Sequence, residues 1–158
     1  MRVLMVCLGN ICRSPIAEGV LRQKAEKNGL KWVVDSAGTE SYHIGEPPHP
    51  YSQKVCRAHG IDISNQRARR FAKADFQQYD VIYAMAADVY DNIQLIGGGA
   101  AIMSKVIYFL NEAMPGSNAS VPDPWYGKED GYLEVYKLIN NTCEVIIDKY
   151  GKKGNNNK

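Results

Sequence analysis

The chain has 158 residues, of which 45% are hydrophobic and 23% are charged, and its formal net charge is +2. This length and composition are typical of one globular domain that buries a core without disulfides or metal ions. The nearly neutral charge indicates neither a nucleic-acid-binding protein nor an acidic, highly solvated chain. No apolar stretch approaches the roughly 20 residues of a transmembrane helix, so we expect no nucleic-acid or membrane partner.

The cysteines carry information about the cellular compartment. Four cysteines are present, namely Cys7, Cys12, Cys56 and Cys143. They form no C-x-x-C pair and do not have the spacing of zinc ligands. The first apolar run, VLMVCL, is too short for an export signal, and no cleavage site follows it. We therefore expect reduced thiols in a cytoplasmic protein without a bound metal or other cofactor.

Apolar runs alternate with amphipathic segments along the chain. In order, the patterns predict a strand in RVLMVC, a helix from Ser14 to Gly29, a strand in KWVVDSAG, a loop in SYHIGEPPHP, a helix over 51–59, a strand in YDVIYAM, a helix over 87–96, a strand in KVIYFL and a helix over 130–149. Ser14 is expected to be the N-cap of the first helix, with Pro15 in its first turn.

Strands that alternate with helices predict an α/β fold with a parallel sheet and right-handed crossovers. We expect a single three-layer domain over residues 1–150, in which helices flank the sheet. The last residues, 151–158, are polar and contribute nothing to a core, so they are expected to form a disordered tail.

The stretch VCLGNICRSP joins the first predicted strand to the first predicted helix. Ligands of such folds bind at the carboxyl ends of the strands, where the N–H groups and dipole of the next helix favour an anion. Gly9 and Asn10 readily adopt the left-handed backbone of a tight turn, and Arg13 can bind two anion oxygens. The same positive field favours the nucleophilic thiolate of Cys7. We therefore expect Cys7 to attack a phosphoryl group held in this loop.

This loop resembles the C-x5-R-S loop of the low molecular weight protein tyrosine phosphatases. The segments DSAGT, HGID and DPWYG extend the resemblance over roughly residues 2–150. It implies a four-stranded parallel sheet with the phosphate loop between strand 1 and helix 1. It also implies that Cys7 is the nucleophile, Arg13 is the phosphate clamp and Ser14 hydrogen-bonds the cysteine. Asn10 is implied to hold the loop in shape, and the remaining phosphate-binding residues are Leu8, Gly9, Ile11 and Cys12.

The segment SVPDPWYG supplies a candidate for the proton transfers. Asp123 lies between two prolines that restrict the loop, and it matches the general acid of the family's D-P-x-Y-G segment. The resemblance places Trp125 and Tyr126 beside the substrate ring and Tyr42 on the opposite wall. An aromatic slot above a deep phosphate site favours phosphotyrosine over phosphoserine, and no metal is required because Arg13 and backbone amides stabilise the charge.

Two positions depart from the family's pattern, and other activities remain open. Gln66 stands where many members have a histidine that supports the loop, and Ala86 stands where an aspartate is common. Phosphoarginine phosphatase and thiol-dependent arsenate reductase are alternatives on the same fold. Apolar Ile11 argues against the first, and the lack of redox cysteines over 82–100 argues against the second. A catalytically inactive phosphopeptide-binding module is the non-enzymatic alternative.

The partners expected from this assignment are phosphotyrosine-containing proteins, and a tyrosine kinase is a plausible further partner. Inorganic phosphate or sulfate is expected to bind in the same loop. Cys12 shares that loop with Cys7, and we expect a separation that permits a disulfide between them after oxidation.

Overall fold

The computed structural model describes residues 1–151, and at position 126 it describes the backbone alone. The strands are β1 (Arg2–Cys7), β2 (Val33–Gly38), β3 (Val81–Ala84) and β4 (Val106–Tyr108). The α-helices are α1 (Arg13–Lys27), α2 (Pro50–Arg57), α3 (Asp75–Gln78), α4 (Ala87–Gly97) and α5 (Glu129–Ile146). A 3-10 turn spans Pro124–Tyr126, and a π-helical turn, Ile147–Gly151, follows α5.

The four strands form one parallel sheet in the order β2-β1-β3-β4, as the α/β prediction requires. Alternate residues of β1 enter two separate cores. Val3, Met5 and Cys7 pack in the cluster that includes α1, α2 and α5. Leu4 and Val6 pack on the other face, in the cluster that includes α3 and α4. The arrangement is a three-layer fold in which β1 is a central strand with its carboxyl end at Cys7.

The sequence predicted each strand and the four longer helices, but it missed the one-turn helix α3. It was wrong about the start of α1, because Cys12 rather than Ser14 occupies the N-cap position and makes no side-chain cap bond. Ser14 lies inside the first turn, where its hydroxyl contacts Cys7 and Asn10 instead of backbone N–H groups. The tail predicted to be disordered covers residues 151–158, and of these, residues 152–158 lie outside the described part of the chain.

Among residues 1–151, no helix combines the length and the apolar character needed to cross a membrane.

Candidate active site

The predicted phosphate loop, residues 8–12, lies at the carboxyl end of β1 and leads directly into α1. Cys7, at the end of the strand, is only 2% exposed, and Arg13, at the start of the helix, is 4% exposed. Asn10 has a φ of 60°, which is the left-handed conformation expected for this turn. Gly9 does not share it, so the prediction of a left-handed backbone at both residues was wrong for Gly9.

The carbonyl groups of the loop are turned away from its centre. Surrounding donors bind three of them: the N–H of Glu40 binds Leu8 O, the N–H of His49 binds Ile11 O, and the Ser52 hydroxyl binds Cys12 O. The carbonyl of Cys7, just before the loop, accepts from the N–H of Thr39. The C=O and N–H of a planar trans peptide point in opposite directions. The N–H groups of these four peptides, which belong to Leu8, Gly9, Cys12 and Arg13, are therefore directed away from those donors. With the dipole of α1 they favour an anion at this end of the strand.

A cavity of about 70 Å³ lies at the mouth of the loop. The predicted nucleophile, clamp and acid all line it, together with residues of the loop and its rim: Cys7, Leu8, Gly9, Ile11, Cys12, Arg13, Tyr42, His43, Asp123 and Trp125. The same cavity is therefore bordered by the predicted reacting groups and by the aromatic residues of the rim.

Asp123 is held beside Arg13 by the chain that leads to it. The N–H of Val121 donates to the carbonyl of Met85, at the end of β3, over 2.7 Å. Arg13 Nη1 donates to the carbonyl of Val121 over 3.0 Å, and Arg13 Nη2 lies 3.7 Å from Asp123 Oδ2. Asp123 Oδ1 accepts a 3.0 Å hydrogen bond from the N–H of Trp125. Arg13 and Asp123, the predicted clamp and acid, are thus positioned by one another.

The side chains of Asn10 and Ser14 are hydrogen-bonded to each other and form a support for the loop. The Ser14 hydroxyl is 2.9 Å from Cys7 Sγ and 2.8 Å from Asn10 Nδ2. Asn10 Nδ2 also donates to Ser36 Oγ over 2.9 Å, and Asn10 Oδ1 accepts from the N–H of Arg69 over 3.0 Å. The Asn10 side chain therefore ties the loop to β2 and to the segment before α3, while it makes no side-chain contribution to the cavity lining.

Two glycines permit the close packing around the loop. At Gly38, an added Cβ would lie 2.8 Å from the Leu8 carbonyl oxygen and 3.0 Å from Asn10 N. At Gly9, it would lie 3.0 Å from Cδ2 of His43. Gly38 belongs to the DSAGT segment that carries the family resemblance. Its contact with the loop could not be predicted without knowing that β2 is a neighbour of β1.

The rim of the cavity is aromatic, as expected. Tyr42 and Trp125 are exposed at its edge, whereas the side chain of Tyr126 lies outside the described residues. The sequence assigned no role to the histidines, yet His43 lines the cavity with its ring centroid 5.6 Å from that of Trp125. Its Nδ1 is 2.5 Å from Glu46 Oε2. His43 follows Tyr42 directly, and this adjacency was the available signal.

Cys12 differs from Cys7 in its surroundings. Its Sγ lies 3.5 Å from the Tyr132 hydroxyl, and burial raises the pKa of Cys12 to about 12. Cys56 and Cys143 are buried in α2 and α5, away from the cavity lining. All four cysteines are free thiols.

The two departures from the family's pattern have local explanations. Gln66 Nε2 donates to the Pro15 carbonyl over 3.1 Å, so its amide contacts α1. Ala86 provides no side-chain cap for α4, and Ser120 Oγ instead accepts from the N–H of Ala87 over 3.0 Å. The segment that carries Asp123 thereby also caps the helix that follows β3.

Comparisons with known proteins agree with this geometry. The family model described as low molecular weight phosphotyrosine protein phosphatase matches residues 2–156. A Schizosaccharomyces pombe protein with the same description is 40% identical over 85% of this chain and 87% of its own length. A Bacillus subtilis low molecular weight protein-tyrosine-phosphatase is 37% identical, and the match covers 96% of each chain.

A solved structure shows the same fold at high similarity. The protein tyrosine phosphatase of Entamoeba histolytica, crystallised with Hepes in its active site, has a TM-score of 0.87 at 33% identity. That match covers 98% of this chain and 99% of the other. The chain belongs to the low molecular weight phosphotyrosine protein phosphatase family.

Proposed function

We propose that the protein hydrolyses phosphotyrosine in proteins, with Cys7 as nucleophile, Arg13 as phosphate clamp and Asp123 as general acid and base. The observation that carries the proposal is the convergence of these three side chains on one small cavity at the carboxyl end of β1. The Cys7 thiol lines the cavity at the end of β1, with its sulfur 2.9 Å from the hydroxyl of Ser14 in the first turn of α1. This combination binds a phosphoryl dianion and attacks its phosphorus.

The first step transfers the phosphoryl group to the enzyme. The Cys7 thiolate forms the S–P bond while the bond from phosphorus to the phenolic oxygen breaks. Asp123 gives its proton to that departing oxygen. Arg13 and the loop N–H groups hold the equatorial oxygens, on which negative charge is spread in the transition state.

The second step releases phosphate. Asp123, now a carboxylate, accepts a proton from a water molecule whose oxygen attacks phosphorus. The S–P bond breaks, and its electron pair returns to the sulfur of Cys7. The Ser14 hydroxyl, 2.9 Å from that sulfur, stabilises the thiolate as it leaves. Inorganic phosphate is the product, and phosphate or sulfate should therefore compete with substrate for the loop.

The shape of the site supports an aryl phosphate as substrate. Tyr42, His43 and Trp125 line the same cavity as Cys7 and Arg13, so an ester whose phosphoryl group lies at Cys7 has these side chains around the rest of the molecule. A phenyl ring packs against aromatic walls, whereas a phosphoserine would place its backbone against the rim. We include Tyr126 in this wall by its match to the family segment.

The alternative activities have less support. Phosphoarginine phosphatase is disfavoured because apolar Ile11 lines the cavity, leaving no hydroxyl for the guanidino nitrogen at this position. Arsenate reduction needs a relay of thiols, but Cys56 and Cys143 are buried outside the cavity. A silent binding module would have no use for an acid positioned beside Arg13.

The cellular setting follows from the chemistry. Turnover requires Cys7 in its reduced form, so we propose a cytoplasmic location, where thiols are kept reduced. The partners are phosphotyrosine-containing proteins, and a tyrosine kinase that produces them is a plausible further partner. We retain residues 1–150 as the proposed phosphatase domain.

The decisive experiment separates the proton transfer from phosphate binding. Asp123→Ala should lower kcat for a phosphotyrosine peptide by about 10²–10⁴, the usual contribution of a general acid. The loss should be smaller for p-nitrophenyl phosphate, because its leaving group needs less protonation. Asp88→Ala is the matched control, since Asp88 lies outside the cavity at the start of α4. An equal loss for both substrates would remove Asp123 from the role of acid.

Cys7→Ser supplies the companion test. The variant should lose all turnover while it keeps binding of inorganic phosphate, because the loop and clamp remain. Measurable hydrolysis by Cys7→Ser would contradict a cysteinyl-phosphate mechanism.

A further inference from the structure

Glu18 is a buried acid that the reaction above does not use. It lies in the second turn of α1 and is 6% exposed. One carboxylate oxygen, Oε1, accepts a 2.7 Å hydrogen bond from the Ser36 hydroxyl. The other, Oε2, is 2.9 Å from Arg22 Nη2. Asp35 also faces it and opposes the ionised form. The other titratable residues that line the same cavity as Glu18 are Asp62, Arg67, Arg69 and Tyr79.

The carboxylate fixes the direction of the hydrogen bond with Ser36. An ionised carboxylate can only accept, so Ser36 must donate its single proton to Glu18. The Ser36 oxygen is then left as an acceptor toward Asn10 Nδ2, 2.9 Å away. This forces the amide of Asn10 to present its nitrogen, and not its oxygen, to Ser36.

The orientation of Asn10 in turn fixes the proton of Ser14. The second hydrogen on Asn10 Nδ2 is donated to Ser14 Oγ over 2.8 Å, and Asn10 Oδ1 accepts from the N–H of Arg69. All polar atoms of the amide are satisfied in this orientation. Because Ser14 accepts from Asn10, its one proton is free to be donated to Cys7 Sγ, 2.9 Å away.

We propose that Glu18 is a positioning residue that acts through Ser36 and Asn10 to direct the Ser14 proton toward the sulfur of Cys7. The proposal rests on the proposed function, in which the Cys7 thiolate is both nucleophile and leaving group. Glu18, Ser36, Asn10 and Ser14 thus form a series of hydrogen-bonded side chains. None of these hydrogen bonds involves substrate, and no proton is exchanged along the series. The series sets the direction of each hydrogen bond, and the Ser14 hydroxyl at its end stabilises the negative sulfur of Cys7.

Burial and partners decide the ionisation of Glu18. Burial raises the pKa of Glu18, while the Ser36 hydroxyl and the Arg22 guanidinium both lower it. The 2.9 Å contact with Arg22 supports the carboxylate form. At the other end of the series, the charged and titratable side chains that line the cavity with Cys7 are Arg13, Asp123, Cys12, His43 and Tyr42. Among the described residues, none of these five is hydrogen-bonded or ion-paired to Glu18 or Ser36.

Glu18→Gln is the most specific perturbation. It retains the shape of the side chain but reverses the direction of its hydrogen bond with Ser36. Arg22 Nη2 donates at the Oε2 position, so the glutamine must place its oxygen there and its NH₂ group toward Ser36. Ser36 then accepts and turns its proton toward Asn10. The Asn10 amide can accept it only by rotating, which also removes its donation to Ser14.

The readout is the pH dependence of alkylation of Cys7 by iodoacetamide. We expect Glu18→Gln to move the midpoint of this profile upward by about one pH unit, so that alkylation below the midpoint slows about tenfold. Ser36→Ala, which removes a single oxygen, should move the midpoint in the same direction. It provides the test of the proposal if the glutamine variant folds poorly. Lys24→Ala is the matched control on α1, since Lys24 pairs with Glu144 outside the series, and it should cause no shift.

Two double variants test the directional argument itself. In a Ser14→Ala background, Glu18→Gln should cause no further shift, because the proton it directs is gone. Glu18→Gln with Arg22→Ala should return the midpoint toward the wild-type value, because the glutamine oxygen can then face Ser36. Equal midpoints for wild type and both Glu18→Gln and Ser36→Ala would overturn the proposal, as would a full Glu18→Gln shift in the Ser14→Ala background.

This test is independent of turnover. Alkylation is measured without substrate, so a failure of phosphotyrosine hydrolysis would refute the proposed function without affecting the midpoints. Conversely, a protein that hydrolyses phosphotyrosine but shows unshifted midpoints in the variants would refute only the role of Glu18.

Discussion

Gly38→Ala is expected to damage both stability and activity, because the new methyl group would enter the backbone of the phosphate loop. Its Cβ would lie 2.8 Å from the Leu8 carbonyl oxygen and 3.0 Å from two further backbone atoms, Gly9 C and Asn10 N. No side-chain rotation can relieve contacts with backbone. The strand cannot retreat easily either, because Gly38 is bonded to Arg69 O and to the N–H of Phe71.

The magnitude follows from these distances. The loop must move by about 0.4–0.6 Å to bring the contacts to an ordinary 3.4 Å. Overpacking of this kind costs about 1–3 kcal/mol, and the reduced entropy of the unfolded alanine chain offsets about 0.4–1 kcal/mol. A displaced loop also misplaces its N–H groups, and a fraction of an ångström at a reacting centre is expected to lower kcat by about tenfold or more.

The assay pairs urea unfolding with the kcat for p-nitrophenyl phosphate. Gly131→Ala is the control, since Gly131 lies in α5 with nothing within 4 Å of its added Cβ. That control should stabilise the helix by up to about 1 kcal/mol and leave kcat unchanged. A Gly38→Ala protein with wild-type stability and kcat would show that the strand and loop are not held together as tightly as these contacts imply.

Two further predictions concern the loop itself. Arg13→Lys should lose nearly as much kcat as Arg13→Ala, because a point charge cannot reproduce a planar two-point contact; a lysine variant with most of the wild-type kcat would exclude Arg13 as the clamp. Peroxide should convert Cys7 to a sulfenic acid, which condenses with the Cys12 thiol to a disulfide and releases water. Since burial raises the pKa of Cys12 to about 12, this condensation should accelerate as pH rises toward that value. Dithiothreitol should restore the wild type but not a peroxide-treated Cys12→Ser variant, and equal recovery of the two would refute the protective role.

The local parts of the site could be predicted from the sequence because their causes are local. A buried apolar run, a turn with Gly9 and Asn10, and a helix with Pro15 near its start suffice to place an anion site at a strand end. The separation of Asp123 from Cys7 along the chain carries no such information. Its assignment depended on the resemblance of DPWYG to a known segment, and the fold then brings it to 3.7 Å from Arg13.

The supporting contacts could not be predicted because they join elements that are distant in sequence. Ser36 meets Asn10 only because β2 lies beside β1 in parallel register, with Gly38 opposite Cys7. His43 reaches the cavity because Gly9 has no side chain there. The N-cap expected at Ser14 was wrong for a related reason, since the hydroxyl has better partners in Cys7 and Asn10 than in the helix backbone.

The replacement at Gln66 illustrates how tertiary contacts decide the effect of a sequence departure. The resemblance implied that a residue at this position supports the loop, so its loss could have left the loop less rigid. In this protein the amide of Gln66 bonds to the Pro15 carbonyl, and Asn10 is held instead by Ser36, Ser14 and the N–H of Arg69. Those three bonds contain no imidazole, so protonation of a histidine has no part in holding Asn10. The titratable group connected to them is Glu18, which accepts a hydrogen bond from Ser36.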